Sequence, residues 1–451
     1  MKTTDWVADA IFYQIFPDRF RNGNKLNDPD NTKNWDDLPP SSKDFYGGDL
    51  EGIIENLDYI KDLGVNAIYL TPIFKSPSNH KYDTEDYYTI DPHFGNNKTF
   101  RELVHQIHKR GMRIILDGVF NHCGWNFFAF QDVLKKGNAS KYWEWFTIDK
   151  FPIEFEPEPT YRCWAGVKDM PEFNTDNPEV RKYLLNVVRY WIEEYDIDGW
   201  RLDTVEYLEP SFVKEIRKVA KETKEDAYVL GEVVGIASSW FKGGGYLDGV
   251  MNYKLWETVV EFFAKGTIDA QMFNHTVRFI RLSYPKWANY SMYNLIGSHD
   301  RARFMTISGM DDRKVTLALS FLFTYIGAPA IFYGDEIGMM GENDPDCRRP
   351  FPWDESKWNK KILSVVKNLS KLRNEMISLR RGNYIKVYAK DRTFIYLRSY
   401  KEESTLITIN ASENISSIKL SLSPKRLILG NASKAGIFLE LPPMSFGIWE
   451  V

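Results

Sequence analysis

Cysteine is scarce in this chain. Cys123, Cys163 and Cys347 are the only three in 451 residues. An odd number at such wide spacing fits neither a disulfide framework nor a zinc site, so free thiols are expected. Long apolar runs are missing as well. No window reaches the roughly 18 apolar residues of a membrane span. The amino-terminal MKTTDWVADAIFYQIF lacks the basic region and long apolar stretch of a secretory signal. Charge of one sign is not gathered anywhere: 58 Lys+Arg and 62 Asp+Glu give a formal charge of -4, mixed along the chain. That pattern speaks against a nucleic-acid groove and against a polybasic membrane patch. Internal repeats and low-complexity linkers are absent too. The expectation is a soluble, cytoplasmic protein with neither nucleic acid nor membrane as partner, its oligomeric state open.

What is present is a regular alternation. Short apolar, β-branched runs alternate with stretches of helical periodicity, the pattern of βαβ units and a parallel sheet. The runs are IFYQIF from Ile11, AIYLTPI from Ala67, RIILDGVF from Arg113, GWRLDTV from Gly199, YVLGEVV from Tyr228, GVMNY from Gly249, YNLIGSHD from Tyr293 and AIFYGDE from Ala330. Eight such runs predict a (β/α)8 TIM barrel. LEGIIENLDYIKDLG carries the punctuation of a helix, with Asp49 as a cap and Gly64 past its last turn, and Pro178 suits the first turn of PEVRKYLLNVVRYWIEEY. The third run is followed by a long interval, 122–173, rich in aromatics and containing the acidic run EFEPEPT. A connection of that length predicts an inserted subdomain or lid. After the last barrel helix, WNKKILSVVKNLSKLRNEMISL, the pattern changes to short strands: TFIYLRS, TLITINA, SIKLSLS, RLILG and GIFLELPP. The expected organisation is a barrel over 1–121 and 174–380, an insertion over 122–173, and a small antiparallel β domain over 381–451. Aromatics are 15% of the chain, which fits a sugar-stacking surface or simply a large core.

In such barrels catalytic groups come from the carboxyl ends of several strands, whose loops converge on one pocket. Here those ends carry Asp117, Asn121 and His122 (third), Arg201 and Asp203 (fourth), Glu232 (fifth), His299 and Asp300 (seventh), and Asp335 and Glu336 (eighth). Singly, Asp117 and Asp335 read as helix caps or partners of loop amides, and His122 as a buried structural histidine. Jointly, acids at the ends of strands four, five and seven point to chemistry. Glycosidic bonds are cleaved by two carboxyl groups flanking the anomeric centre. Strand alternation puts Arg201 and Asp203 on one face, and the guanidinium favours an ionised Asp203, the form a nucleophile needs. Glu232 lies among apolar neighbours, which should raise its pKa and keep a general acid's proton. Asp300, beside His299, is left to hold the sugar as positive charge develops on it.

At these residues the chain resembles the α-amylase family of glycoside hydrolases, over nearly its whole length. DGVFNH ending at His122, GWRLDTV with Asp203, GEVV with Glu232 and NLIGSHD ending at Asp300 carry the resemblance. It implies Asp203 as nucleophile, Glu232 as general acid/base and Asp300 as transition-state stabiliser, with Arg201, His122 and His299 binding the sugar beside the cleaved bond. It also implies that the long third connection is the family's domain B and that the tail is its carboxy-terminal β domain. SPSNHKYDTEDYYTIDPHFG, YGDEIGMMGENDPDCRRPFPW and MPEFN from Met170 look closest to the cyclomaltodextrinase, neopullulanase and maltogenic amylase group. That likeness adds Tyr82 as a stacking platform, His80 in the same pocket, and Asp344 and Arg348 on sugar hydroxyls. The substrate implied is a short or cyclic α-1,4-glucan, cleaved with retention. A plain endo-acting α-amylase or a transglycosylase is the alternative, and a catalytically silent carbohydrate-binding protein a remoter one.

Three features depart from that group. Its further domain ahead of the barrel has no counterpart, since the first strand begins near Ile11, so a dimer built through that domain is not expected. Glu206 and Tyr207 stand where an Asn-Glu pair is usual, and Val234 and Gly235 replace a Trp-His. The smaller side chains after Glu232 predict a more open acceptor side. A structural Ca²⁺ is expected in NGNKLND: Asn22, Asn24, Asn27 and Asp28 offer the hard oxygen ligands it prefers, and the family pattern adds Gly47 and Asp49 of YGGD. The alternative is an Asn-rich turn without metal. No cofactor is expected for catalysis.

Overall fold

The computed structural model describes residues 4–155, 157–243, 245–422 and 424–451. Eight parallel strands form its centre: β1 (Phe12–Ile15), β2 (Ala67–Leu70), β3 (Arg113–Gly118), β4 (Gly199–Leu202), β5 (Tyr228–Gly231), β6 (Gly249–Val250), β7 (Tyr293–Leu295) and β8 (Ala328–Phe332). They lie in the order β6-β5-β4-β3-β2-β1-β8-β7. A parallel bridge between Met251 and Tyr293 joins the two ends of the sheet into a ring. The eight runs read from the sequence are these eight strands; β8 begins two residues earlier than expected, taking in Pro329.

Alternation along the strands explains both the core and the site. Phe12, Tyr69, Ile115, Tyr228, Leu230, Tyr293 and Leu295 fill the barrel interior. Their sequence neighbours Tyr13, Ile68, Leu70, Ile114, Leu116 and Val229 pack outward among the helices. Residues two apart share a face, so continuing the inward set toward the carboxyl ends leads from Phe12 to Gln14, from Ile115 to Asp117 and from Leu230 to Glu232. The polar groups are thus the last inward positions of apolar strands. Below them each buried aliphatic side chain contributes about 1.5–3 kcal/mol.

The outer helices follow their signals with two exceptions, one of them the last barrel helix, which is divided at Met376 into Lys360–Glu375 and Ile377–Arg381. Helix Pro178–Tyr195 starts with Pro178 in its first turn and Asn177 as its cap. Helix Asn97–Lys109 is capped by Asn96, whose side chain accepts from Lys98 N and Thr99 N. LEGIIENLDYIKDLG is two short helices, Leu50–Glu55 and Leu57–Asp62, divided at Asn56. Asn56 sits near φ -111°, ψ 14°, outside helical geometry, and its Nδ2 donates to Gly52 O at 2.7 Å. A short polar side chain has captured a backbone carbonyl there. Asp49 caps the first helix, accepting from Gly52 N at 2.6 Å.

Between β3 and helix Pro178–Tyr195 the chain is mostly irregular. It holds the helix Phe128–Lys136 and isolated antiparallel bridges, including His122–Glu172 and Cys163–Pro171. Glu156 of the acidic run lies outside the described residues. Past helix Ile377–Arg381 come β9 (Asn383–Lys390), β10 (Thr393–Tyr400), β11 (Glu403–Asn410), β12 (Ser416–Lys419), β13 (Arg426–Gly430), β14 (Ser433–Ala435), β15 (Phe438–Leu441) and β16 (Ser445–Glu450). They form two antiparallel sheets, β9-β10-β11-β16-β13 and β12-β15-β14. The sequence reading missed β9, β14 and β16. β9 is a largely exposed edge strand without a clear alternation. β16 contains Gly447, where a Cβ would come within 2.8 Å of Ala432 Cβ and the Thr408 hydroxyl, so glycine marks close packing rather than a turn. Ser423, at the end of the expected SIKLSLS strand, lies outside the described residues. Buried Arg398 ties this unit to the barrel through Thr324 O and Gly382 O. The three cysteines are free thiols. Among the described residues no helix is long and apolar enough to cross a membrane.

Candidate active site

A cavity of about 290 Å³ opens at the carboxyl ends of the barrel strands. Asp203, Glu232 and Asp300 line it together with His80, Tyr82 and His122, and so do His299, Asp344 and Arg348. Arg201, fully buried, lies behind them. The ten catalytic and sugar-binding residues expected from the sequence therefore meet in one place.

Arg201 organises the floor. Its Nη1 lies 2.8 Å from both Asp117 Oδ1 and Asp203 Oδ1, and its Nη2 lies 3.0 Å from Glu232 Oε2. One guanidinium thus faces three carboxylates. Arg201 lies beside Asp203, as strand alternation predicts, and is shared with Asp117 and Glu232 as well. Burial pushes the Asp203 carboxyl well up, Arg201 opposes that, and the negative charges of Glu232 and Asp117 add to it. Burial likewise pushes Asp117 up, against Arg201 and the Tyr69 and Tyr82 hydroxyls. Asp117 is no helix cap; it is the anchor behind Arg201, accepting from Tyr69 Oη at 2.6 Å and Tyr82 Oη at 2.9 Å.

Thr204, directly after Asp203, takes a left-handed conformation at φ 42°, ψ 43°, which is costly for a β-branched residue. Its N–H donates to Glu232 Oε2 at 2.9 Å and its hydroxyl to Asp203 Oδ2 at 3.2 Å. With Arg201 on the same Oε2, one oxygen of Glu232 is fixed by two donors, and among the described residues Oε1 has no protein partner.

Opposite these acids, Asp300 is the most exposed of the three, its side chain 37% accessible. His299 Nε2 lies 3.2 Å from Asp300 Oδ2 and Arg348 Nη2 3.3 Å from Oδ1. Arg348 also pairs with Asp344 at 3.0 Å and donates to His299 O at 2.7 Å. Gln14 Nε2 meets His299 Nδ1 at 2.7 Å, and Tyr82 Oη meets His299 Nε2 at 2.6 Å. An amide N–H on Nδ1 leaves the ring proton on Nε2, aimed at Tyr82 and Asp300. The Tyr82 ring stacks on the His299 ring at 5.6 Å and on His80 at 5.9 Å. All three histidines are kept neutral by burial: His80 and His122 are pulled down to about 4, and His299 is held well below its ordinary value. His122 Nε2 is buried without a hydrogen-bond partner, a donor or acceptor left for a sugar hydroxyl.

Three lining residues escaped the sequence reading, Trp164, Met170 and Thr204. Trp164 reaches the pocket because the Cys163–Pro171 bridge folds the long insertion back, bringing Met170 with it. Its ring lies 5.6 Å from His122. Asp335 and Glu336 stay outside the cavity. Arg303 holds Asp335 at 3.0 Å, while Glu336 accepts from Tyr13 and Tyr59 at 2.7 Å each. Beyond Asp203 and Glu232 along the chain, Tyr207 and Val234 are exposed, and a Cβ at Gly235 would meet nothing within 4 Å. Glu206 Oε2 accepts from Val234 N at 3.1 Å, so the two altered segments are tied to each other.

The residues expected to hold calcium gather between β1 and the first helix. Asn22 Nδ2 donates to Asp28 Oδ1 at 2.7 Å. Asp49 accepts from Gly23 N at 3.2 Å, from Asn24 N at 2.8 Å and from Asn27 Nδ2 at 3.4 Å. Asn22 Oδ1 and Asn27 Oδ1 are buried and accept no hydrogen bond. A Cβ on Gly47, which sits at φ +77°, would run into Asp28 Oδ1.

Carboxyl groups converging under a stacked aromatic at the open end of an α/β barrel define a carbohydrate-active hydrolase. Residues 14–390 match the family described as "Alpha amylase, catalytic domain", and the chain belongs to that family of glycoside hydrolases. It is 50% identical over 409 residues to the cyclomaltodextrinase of Thermoanaerobacter pseudethanolicus, covering 90% of this chain and 71% of that one. It is 47% identical to the intracellular maltogenic amylase of Bacillus subtilis over 82% of this chain and 62% of that one. The solved structure of the cyclic α-maltosyl-(1→6)-maltose hydrolase of Arthrobacter globiformis, in complex with cyclic α-maltosyl-(1→6)-maltose, superposes with a TM-score of 0.94. Both chains are covered in full, at 36% identity.

Proposed function

We propose that this protein hydrolyses α-1,4-glucosidic bonds of maltooligosaccharides, cyclodextrins and related α-glucans with net retention. The observation that carries this reading is Arg201 bridging Asp203 and Glu232, with Asp300 held by His299 and Arg348 in the same cavity. Asp203 attacks the anomeric carbon. Its Oδ1 is fixed on Arg201, so rotation is restricted and Oδ2 is the attacking oxygen. Glu232 gives its proton to the leaving oxygen from Oε1, since Oε2 is already occupied by two donors. The chemistry requires Asp203 ionised for attack, which the Arg201 guanidinium favours against its burial, and a proton on Glu232 Oε1 facing the leaving oxygen. After the leaving group departs, Glu232 activates water to open the glycosyl-enzyme. Asp300, with Arg348 and the His299 N–H behind it, accepts from sugar hydroxyls and stabilises the oxocarbenium-like state.

Tyr82 supplies the aromatic face under the sugar, and His80 and His122, being neutral, offer hydrogen bonds without competing positive charge. The exposed Val234 and the clear space at Gly235 leave the acceptor side open, which suits bulky or cyclic glucans. A cytoplasmic location is proposed from the even charge and from the intracellular relative of Bacillus subtilis.

Calcium is proposed as a structural ion. Asn22, Asn24, Asn27, Asp28, the Gly47 carbonyl and Asp49 would hold it; the unsatisfied Asn22 and Asn27 oxygens fit an oxygen-ligated cation. It would pin the loop after β1 and takes no part in bond cleavage.

The test is a comparison of rates on β-cyclodextrin, starch, pullulan and maltotriose for the wild type and Asp203→Asn. Loss of at least about a thousandfold on all four is expected for the variant. Activity surviving intact would overturn the assignment.

A further inference from the structure

At the opposite end of the barrel from the catalytic cavity, two clefts of about 380 and 280 Å³ share Lys286, Tyr290 and Asn383 and so form one continuous groove. Its walls come from the segment before β1 (Thr4, Ala8), the turn before β7 (Ser291) and the start of β9 in the carboxy-terminal domain. Trp287, Tyr290 and Tyr400, all half-buried, give it a row of aromatic groups. Tyr384 borders the other lobe. It is only 8% exposed, and among the described residues its hydroxyl has no hydrogen-bond partner. Arg281 lies 5.3 Å over the Tyr384 ring, and its buried Nε is likewise unpartnered.

Buried hydroxyl and guanidinium groups without partners are uncommon, because each has given up its hydrogen bonds to water and gained none in return. Half-buried aromatic rings beside unsatisfied donors match a pyranose chain, which offers apolar ring faces and, at their edges, hydroxyls. Of the cations lining the groove, Arg381 is held by Asp9 at 2.6 Å and Arg281 lies over the Tyr384 ring; Lys286 stands where the two lobes join, and an anion seated there is an outcome the experiment below separates. We infer that this groove is a second binding site for linear α-glucan chains, separate from the catalytic cavity and holding a polymer while its end is cut. The ligand class rests on the α-glucan reading of the catalytic site.

The experiment uses the full chain. Calorimetric titration of Asp203→Asn with maltoheptaose is expected to give two binding events, and adding Tyr400→Ala should remove one. In the active background, Tyr384→Phe deletes only the unpartnered hydroxyl and Tyr400→Ala one aromatic ring. Both should hydrolyse maltotriose at the wild-type rate, with retardation in a starch-containing native gel weakened about three- to tenfold. A single binding event in Asp203→Asn would overturn the inference. So would a second event that neither variant alters, or one that glucose 1-phosphate or inorganic phosphate displaces. If the wild type fails to cleave maltotriose while the second event persists, the catalytic reading fails and this one stands.

Discussion

Replacing Arg201 by leucine removes one positive charge from two buried carboxylates, Asp117 and Asp203, and from the partly buried Glu232. The guanidinium makes contacts of 2.8 Å to Asp117 and Asp203 and 3.0 Å to Glu232, and it is wholly enclosed. Breaking a buried ion pair by deleting one partner costs about 3–5 kcal/mol, since the other charge stays behind. Unfolding entropy runs at about 2.1 cal/mol/K per residue, so across this chain the loss lowers Tm by about 3–5 °C near pH 8. The deficit depends on pH. Asp117 and Asp203 already have carboxyls raised by burial, with Arg201 opposing the rise; without it they rise further. A raised carboxyl stabilises below its ordinary pKa and loses that contribution as pH climbs through the folded value. At pH 4.5 Asp117 and Asp203 of the variant are neutral and the Tm gap should shrink to less than half. Scanning calorimetry of both proteins from pH 4.5 to 8 measures it. A gap that is constant with pH, or widest in acid, would refute the reasoning.

Tyr82→Phe keeps the ring on His299 but deletes the hydroxyl that spans Asp117 and His299 at 2.9 and 2.6 Å; kcat/KM on β-cyclodextrin should fall about 10- to 100-fold in steady-state assays, with Tm changed little. Burial pushes Glu336 up to about 7 despite the Tyr59 and Tyr13 hydroxyls, so it stabilises in acid and loses that contribution as pH rises through 7. Glu336→Gln should therefore narrow the wild-type advantage in Tm between pH 6 and 8, at no more than about 1.4 kcal/mol per pH unit. If calcium occupies the Asn22–Asp49 cluster, excess EDTA should lower Tm by about 3 °C, as expected from about 2.7 kcal/mol at a hundredfold excess over Kd. Asn22→Ala should abolish that response while the rate on maltotriose below the transition stays unchanged.

The barrel was legible because its strands are covered on both faces and read as unbroken apolar runs, and because the polar ends of those runs are also the ends of inward-facing rows. Asp203, Glu232 and Asp300 could be named for that reason. The sharing of Arg201 was not legible. Spacing puts Arg201 beside Asp203, but only the closure of β3, β4 and β5 side by side brings Asp117 and Glu232 to the same guanidinium. Thr204 carries no signal either: nothing in a threonine announces a left-handed backbone, and its N–H reaches Glu232 only because the chain turns there. Trp164 depends on the path of an irregular insertion, where no periodicity guides the eye. At Asn56 a single side-chain hydrogen bond split one amphipathic stretch into two helices, a local competition that hydrophobic spacing does not reveal.

Retention through a glycosyl-enzyme on Asp203 requires the two carboxyl groups to act from opposite sides of one anomeric carbon, with about 5–5.5 Å between them. The stereochemistry of the first product tests this most directly. Proton NMR during the first minutes of β-cyclodextrin or maltotriose hydrolysis, before mutarotation, should show the α-anomer of the newly formed reducing end. The β-anomer appearing first would contradict the account.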